Sequence, residues 1–521
     1  MMHRNKSVNT HQFAMVPRAD IPRSGFSIES SYKTTFDAGW LIPVYVEEVL
    51  PGDSFNLKAT MFARLATPIV PIMDNLYLES FFFFVPNRLV WDRWPIFMGE
   101  RKSPNDSIDY TVPILTGLNS APPGTIFDYV GLPINIPNLS VNALPFRAYN
   151  LIWNEWFRDQ NLQTPAPFST GDTDVPGNFA IKRRGKRHDY FTSCLPWVQK
   201  GDSVQLPLGG QATVFGINDK APIFNFGGVN TTIISKTSDD DLKTEQNTPA
   251  QAIATWYNPQ LAADLSTATA ATINQIRQAF QIQKLLERDA RGGTRYTELV
   301  RSHFGVMSPD ARLQRPEYLG GGMVPINIHP IAQTQQTDPT GTPLGALAAV
   351  GTATAHNGFT QSFTEHGYII GMVSVRADLN YQQGIHKMWS RLTRYDFYWP
   401  VFANLGEQAV LNREIYAQGT EADDDVFGYQ ERWAEYRYKP SLITGQLRST
   451  FPQSLDIWHL AQEFGSLPTL NSTFIEDNPP VERIIATTEQ TGQQFVMDIF
   501  FRNKVARPLP MYSVPGLVDH F

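Results

Sequence analysis

A single cysteine, Cys194, stands among 521 residues, so no intramolecular disulfide can form and a thiolate metal cage has too few ligands. The sequence predicts a fold held without covalent or metal staples and without a cofactor. Positive charge is also in short supply: 43 Lys and Arg stand against 50 Asp and Glu, a formal charge of −7. That excludes a wholly basic nucleic-acid binder. Long apolar runs are missing, and the first twenty residues contain no apolar stretch of the kind a signal peptide needs. The expectation is a chain neither exported by a signal peptide nor inserted in a membrane. The phosphate-binding, zinc-protease, nucleophile-elbow and dinucleotide motifs are absent too. Glu421, Asp423, Asp424 and Asp425 read as a solvated acidic loop in preference to a calcium site, because the calcium-loop glycine and final glutamate are unfilled. His356 and His366 read as surface or core residues, and Cys194 as a small buried apolar one.

What is present is apolar and aromatic, at 42% and 12% of the chain, with only 18% charged residues, 38 prolines and 36 glycines. An average soluble chain carries roughly 25% charge. This composition fits a loop-rich β protein that hides much of its surface. From Lys33 the pattern is β: a turn at Pro51-Gly52-Asp53 separates two runs, and Leu57, Ala59, Met61, Ala63 and Leu65 then alternate with polar residues. The run NLYLESFFFFV carries four consecutive phenylalanines, which predicts a strand covered on both faces. Tyr368 to Leu379 and Gln493 to Leu509 read as strands, the latter with Phe495, Met497, Ile499 and Phe501 on one face. Helical spacing occurs at residues 146–160 and 272–290. Strands at both ends with long excursions between them favour a mainly β fold, one closed sandwich of jelly-roll type with large insertions.

Residues 1–32 read as an extended basic arm and 33–521 as one domain. Within it, residues 209–270 form a polar excursion, residues 332–358 a second, and Gly320-Gly321-Gly322 a flexible turn. The densest charge lies in IKRRGKRHDYFTSCLPW. There Lys182, Arg183, Arg184, Lys186 and Arg187 could neutralise phosphates beside aromatics able to stack on unpaired bases, although a solvated basic loop fits the spacing too. Arg4, Lys6, Arg18 and Arg23 of the arm carry the same ambiguity. Trp389, Tyr395, Phe397, Tyr398 and Trp399 are candidate core or interface anchors, with the core the expected place.

Whole phrases carry a resemblance. LIPVYVEEVLPGDSF, TPIVPIMDNLYLESFFFFVPNRLVW, RHDYFTSCLPWVQKGD, IQKLLERDARGGTRYTELVRSHFG, YQQGIHKMWSRLTRYDFYWPVFANLGEQAVLNREIYAQG and ARPLPMYSVPGLVDHF closely resemble the major capsid proteins of the Microviridae, in the gokushovirus branch. The resemblance implies an eight-stranded viral jelly roll that self-assembles into a T=1 icosahedral shell around circular single-stranded DNA. It also implies a chain made in a bacterial cytoplasm, incorporated in the virion and accompanied by small basic DNA-binding and other minor virion proteins. The excursion 209–270 takes the place of the family's threefold protrusion. Asn230, Lys236, Asp239, Asp240 and Asp241 are then candidates for contact with a host cell-surface receptor. At Val198 the sequence departs from the proline usual in the phrase LPWPQKG. Two other classes compete: a carbohydrate-active β-sandwich enzyme with two facing acids in a cleft, and a host-binding spike without shell function.

Overall fold

A computed structural model describes residues 22–118, 122–204, 213–216, 222–235, 242–244, 254–258, 261–264, 273–334, 344–487 and 492–512. The chain divides into two compact units, residues 1–198 with 292–521 and residues 199–291.

The larger unit is mainly β and rests on two five-stranded antiparallel sheets. One runs in the order β1 (Ser24–Phe36), β20 (Phe495–Arg507), β3 (Ser54–Leu65), β16 (Leu347–Ser362) and β15 (Asn327–Ala332). The other runs β14 (Glu317–Pro325), β4 (Leu76–Pro86), β17 (Gly367–Ala377), β2 (Trp40–Val49) and β7 (Lys182–Arg183). Alternation decides which face is inside: in β3 and β20 every second side chain is buried and its neighbours are exposed. The inner faces meet in one cluster, where Phe55, Leu57, Met61, Met497 and Ile499 pack with Phe82, Phe84, Ile369 and Val373.

Strand β4 lies between β14 and β17, and the four phenylalanines explain why it must be covered twice. Each phenylalanine left in water would forfeit about 2 kcal/mol. Phe82 and Phe84 point into the inter-sheet core. Phe83 and Val85 point the other way, onto Trp91, Phe146, Tyr149 and Ile152. Three of those four residues come from the helix Leu144–Ile152, which continues as a π turn over Trp153–Phe157. Short pairs complete this unit: β5 (Ile114–Leu115) with β6 (Val141–Asn142), and β18 (Glu407–Leu411) with β19 (Val426–Glu431).

Three expectations are corrected here. Strand β1 begins at Ser24, inside the stretch read as an arm, and pairs with β20 from Ser24↔Arg507 to Phe36↔Phe495. Its apolar signal is weak because it is an edge strand whose residues 27–31 are all exposed. The glycines 320–322 are not a turn but lie in β14. A Cβ at Gly321 would come 2.1 Å from the Ser80 carbonyl oxygen, and one at Gly322 2.3 Å from Asn357 Oδ1, so close packing selects glycine. From Leu347 onward the second polar stretch is strand β16, in which Ala349, Ala353 and Ala355 are buried. Small residues supply its inner face, so the strand does not look apolar. Residues 335–343 lie outside the described residues.

The smaller unit contains the whole of 209–270. Strand β8 (Thr213–Gly216) pairs with β13 (Leu261–Asp264). A four-stranded sheet runs β11 (Leu242–Thr244), β10 (Val229–Ser235), β9 (Ile223–Phe226) and β12 (Ala254–Asn258). Gly227 and Gly228, both at positive φ, close the two-residue turn between β9 and β10. The helical spacing becomes Ile273–Gly292.

Candidate functional site: a clamped basic segment and an exposed aromatic ribbon

The basic segment is held by its own chain. Lys182 and Arg183 form β7, paired through Leu41 and Trp40 to β2. The Arg183 guanidinium lies 4.2 Å from the Trp40 ring centroid and donates from Nη1 to the Asp477 carbonyl oxygen and to Asn478 Oδ1, both at 3.0 Å. Lys182 Nζ sits 5.7 Å from the centre of Trp153, and burial lowers its pKa. The turn before Trp40 requires glycine: Gly39 has φ +81°, and a Cβ there would stand 2.0 Å from the Asp477 carbonyl oxygen.

Glu79, buried on β4, gathers three guanidinium groups: Arg184, Arg376 Nη2 at 2.8 Å and Arg187 Nη2 at 3.6 Å. Burial alone would raise this carboxyl, but the charges of Arg184 and Arg376 outweigh it and hold it below its ordinary range. Arg187 also meets Asp378 Oδ1 at 3.1 Å and stacks 4.2 Å over Tyr77. Arg184 lies over Phe81, and burial beside Arg376 brings it down to about 10, still charged at neutral pH. Lys186 is buried, donates to Gln462 Oε1 at 2.9 Å and lies 4.3 Å from the Phe474 centroid. Burial lowers it to about 8. Asp477 is buried as well, and loss of solvent raises its carboxyl to about 7 against the pull of Arg376, Lys186, Arg184 and Arg183. The segment therefore clamps β2, β4, β17 and residues 476–478 together. Lys186 cannot reach a phosphate from this position, which corrects that residue's expected role.

Of the arm, Arg4, Lys6 and Arg18 lie outside the described residues; Arg23 is exposed and donates to Ser54 Oγ at 3.0 Å. Asn230 sits on β10, accepting from Asn225 Nδ2 at 2.6 Å. Lys236, Asp239, Asp240 and Asp241 lie outside the described residues. Asp423 of the acidic loop turns inward, and its carboxylate accepts from the backbone nitrogens of Gln418 and Gly419.

The aromatic anchors are not in the core. Trp389 is 71% exposed and Tyr395 68%, and Phe397, Tyr398 and Trp399 are exposed too, along with Leu392 and Val401. Trp389 and Tyr395 lie in short 3-10 turns and Phe397, Tyr398 and Trp399 in the irregular segment between two of them, so no helical or strand period turns them inward. Their geometry is nevertheless fixed. Asp396 Oδ2 accepts from the backbone nitrogens of Leu392 and Thr393. Trp399 Nε1 donates to the Arg394 carbonyl oxygen at 3.1 Å, and Trp433 Nε1 to that of Phe402 at 3.1 Å. Tyr398 stands edge-on to Trp433 at 5.5 Å, and Arg391, paired with Glu435 at 2.8 Å, lies over Tyr436. The result is an internally hydrogen-bonded ribbon with exposed rings.

The partners of the basic segment were missed in the sequence. Glu79 gave one usable signal, since an acid inside an apolar strand must find a cation. Asp378 and Asp477 gave none. Among the described residues no helix is long and apolar enough to cross a membrane.

Comparison with known proteins is consistent over nearly the full length. The model of the family described as capsid protein (F protein) matches residues 14–517. The chain is 47% identical to capsid protein VP1 of Bdellovibrio phage phiMH2K, covering 98% of this chain and 99% of that one. It is 42% identical to capsid protein VP1 of Chlamydia phage 1 and 37% identical to that of Spiroplasma virus 4, covering 98% of each chain in both cases. All three are gokushovirus proteins, which bears out the resemblance read in the sequence.

Proposed function

The chain belongs to the capsid protein (F protein) family, and from that premise we propose that it is the major shell subunit of a small single-stranded DNA phage. As a member it is a structural component of a virion and not an enzyme. The finer reading is a T=1 icosahedral shell around a circular genome, with residues 209–270 offered to a host receptor. Synthesis in the bacterial cytoplasm and help from small basic and other minor virion proteins complete it. The order β1-β20-β3-β16 facing β14-β4-β17-β2 supports an eight-stranded jelly roll, with β7 and β15 added at the edges. Genome contact is assigned to Arg4, Lys6, Arg18 and Arg23, and to whatever faces of Lys182, Arg183, Arg184 and Arg187 their internal partners leave open.

The ribbon around Trp389 carries the proposal. A monomer rarely exposes a large contiguous apolar patch, and rigid aromatic anchors are what a well-packed subunit contact uses. Expression with the neighbouring genes, followed by nuclease treatment and electron microscopy, tests it. The expected result is uniform small icosahedral particles holding protected single-stranded DNA. Monomers alone, with the companion proteins present, would overturn it.

A further inference from the structure

The outward face of the first sheet is cationic, although the chain as a whole is acidic. Register places its side chains. On β20, Asp498, Phe500, Arg502 and Lys504 point to solvent; on β3, Lys58, Thr60, Phe62 and Arg64 do so; on β1, Glu29 and Lys33. Only Glu29 and Asp498 are acidic, and both are already engaged, Glu29 with Arg502 at 3.0 Å and Asp498 with Lys33 at 2.8 Å. Both are exposed pairs, which contribute little to stability and can exchange partners. Among the described residues Lys58, Arg64 and Lys504 have no acidic partner within ion-pair distance.

Two further features distinguish this face from an ordinary solvated one. Lys58 stands directly opposite Arg502, and Lys504, opposite Asn56, is diagonal to Lys58 and two residues along the same strand face from Arg502. Like charges in direct opposition across a sheet are destabilising, and a bound anion would relieve the cost. Beside this cluster the rings of Phe500 and Phe62 are 39% and 49% exposed. Phe500 opposes Thr60 and Phe62 opposes Asp498, so the two rings are diagonal neighbours. The Arg502 guanidinium lies 5.8 Å from the Phe500 centroid. Exposed rings on an open antiparallel sheet, flanked by cations, are the physical requirement for holding unpaired bases and their phosphates together.

We propose that this face, through Lys58, Arg64, Arg502 and Lys504 with Phe62 and Phe500, binds single-stranded DNA. The site deepens the proposed function and rests on it: this sheet face is directed toward the packaged genome. Arg23, exposed where β1 begins, extends the cationic line from the sheet into the arm.

The test is binding of a fluorescent oligothymidine to soluble full-length subunits across a salt series, with the nuclease-protected DNA in assembled particles as a second readout. Each phosphate contact contributes about 0.7 to the log–log salt slope. The triple variant K58Q/R502Q/K504Q is expected to bind more weakly, with a slope shallower by about 2. The double variant F62A/F500A should weaken binding by about tenfold or more and leave the slope unchanged. Lys439→Gln removes one exposed charge outside the sheet face and should change neither. All the substituted side chains are exposed, and thermal melts identify any variant that fails to fold. Unchanged affinity and slope in both multiple variants would overturn the inference while leaving the shell reading intact, provided unsubstituted particles protect DNA. Empty unsubstituted particles would instead overturn the genome reading itself.

Discussion

Asp477 is where burial and charge are most finely balanced. Its carboxyl, ordinarily near 3.8, is raised to about 7 by loss of solvent, despite four nearby cations. A raised carboxyl binds protons more tightly in the folded chain than in the unfolded one. Its contribution to stability is therefore fullest below about pH 4 and is lost as pH rises through about 7. Lys186, lowered to about 8, titrates above that window. Asp477→Asn should remove the Asp477 contribution, so the difference in denaturation midpoint between parent and variant should change across pH 4 to 7 and flatten above it. A constant difference throughout would mean that Asp477 is ionised at all these pH values. Nothing of this was legible in the sequence. The cations of 182–187 stand out as a motif, but their acids lie in distant segments that only the fold brings near. For the same reason a patch that reads as phosphate-binding serves first as an internal clamp.

Strands were the most legible elements, because period-two alternation survives wherever one face is wet and the other buried. The runs in β3 and β20 show it directly, and the phenylalanines of β4 show its opposite, burial on both faces. Legibility failed where small or polar residues fill a strand, as with the alanines of β16 and the serines of β1. It failed differently in the ribbon, whose aromatics suggested a core. Aromatic content reports a need for burial without saying whether the cover is the same chain or another. Exposure in the single chain removes the first answer, and the proposed shell is what would supply the second. Replacing Trp389 and Tyr395 by alanine should therefore leave the subunit's melting temperature within a few degrees of the parent, since few contacts inside the chain are lost. Particle yield in gradient sedimentation should fall steeply, because a hot-spot loss of about 2 kcal/mol or more recurs at every equivalent contact. A large drop in melting temperature with normal assembly of the surviving subunits would return the ribbon to a folding role.

At the scale of the whole molecule, residues 199–291 make a unit of their own, and the excursion read from composition at 209–270 lies inside it. The compositional shift was legible because polar, Gly- and Asn-rich stretches cannot join an apolar core. Its β-hairpins were not, since strands as short as Ile223–Phe226 are too brief to establish a period. The larger unit has its own cores, built from residues on both sides of the insertion in sequence. Lengthening or exchanging a loop between two ends already held in place changes closure entropy only slowly, by about 0.6 kcal/mol per doubling. Replacing residues 209–270 with the corresponding segment of the Bdellovibrio phage phiMH2K protein should therefore preserve subunit folding and particle formation. What should change is attachment, measured as the fraction of particles adsorbed to each host's cells. If particles form and adsorption is unaltered, the receptor contact lies elsewhere on the shell. If folded subunits no longer assemble, the insertion is a clamp between subunits, and its polar composition reflects a wet contact between copies of the chain instead of exposure to the host.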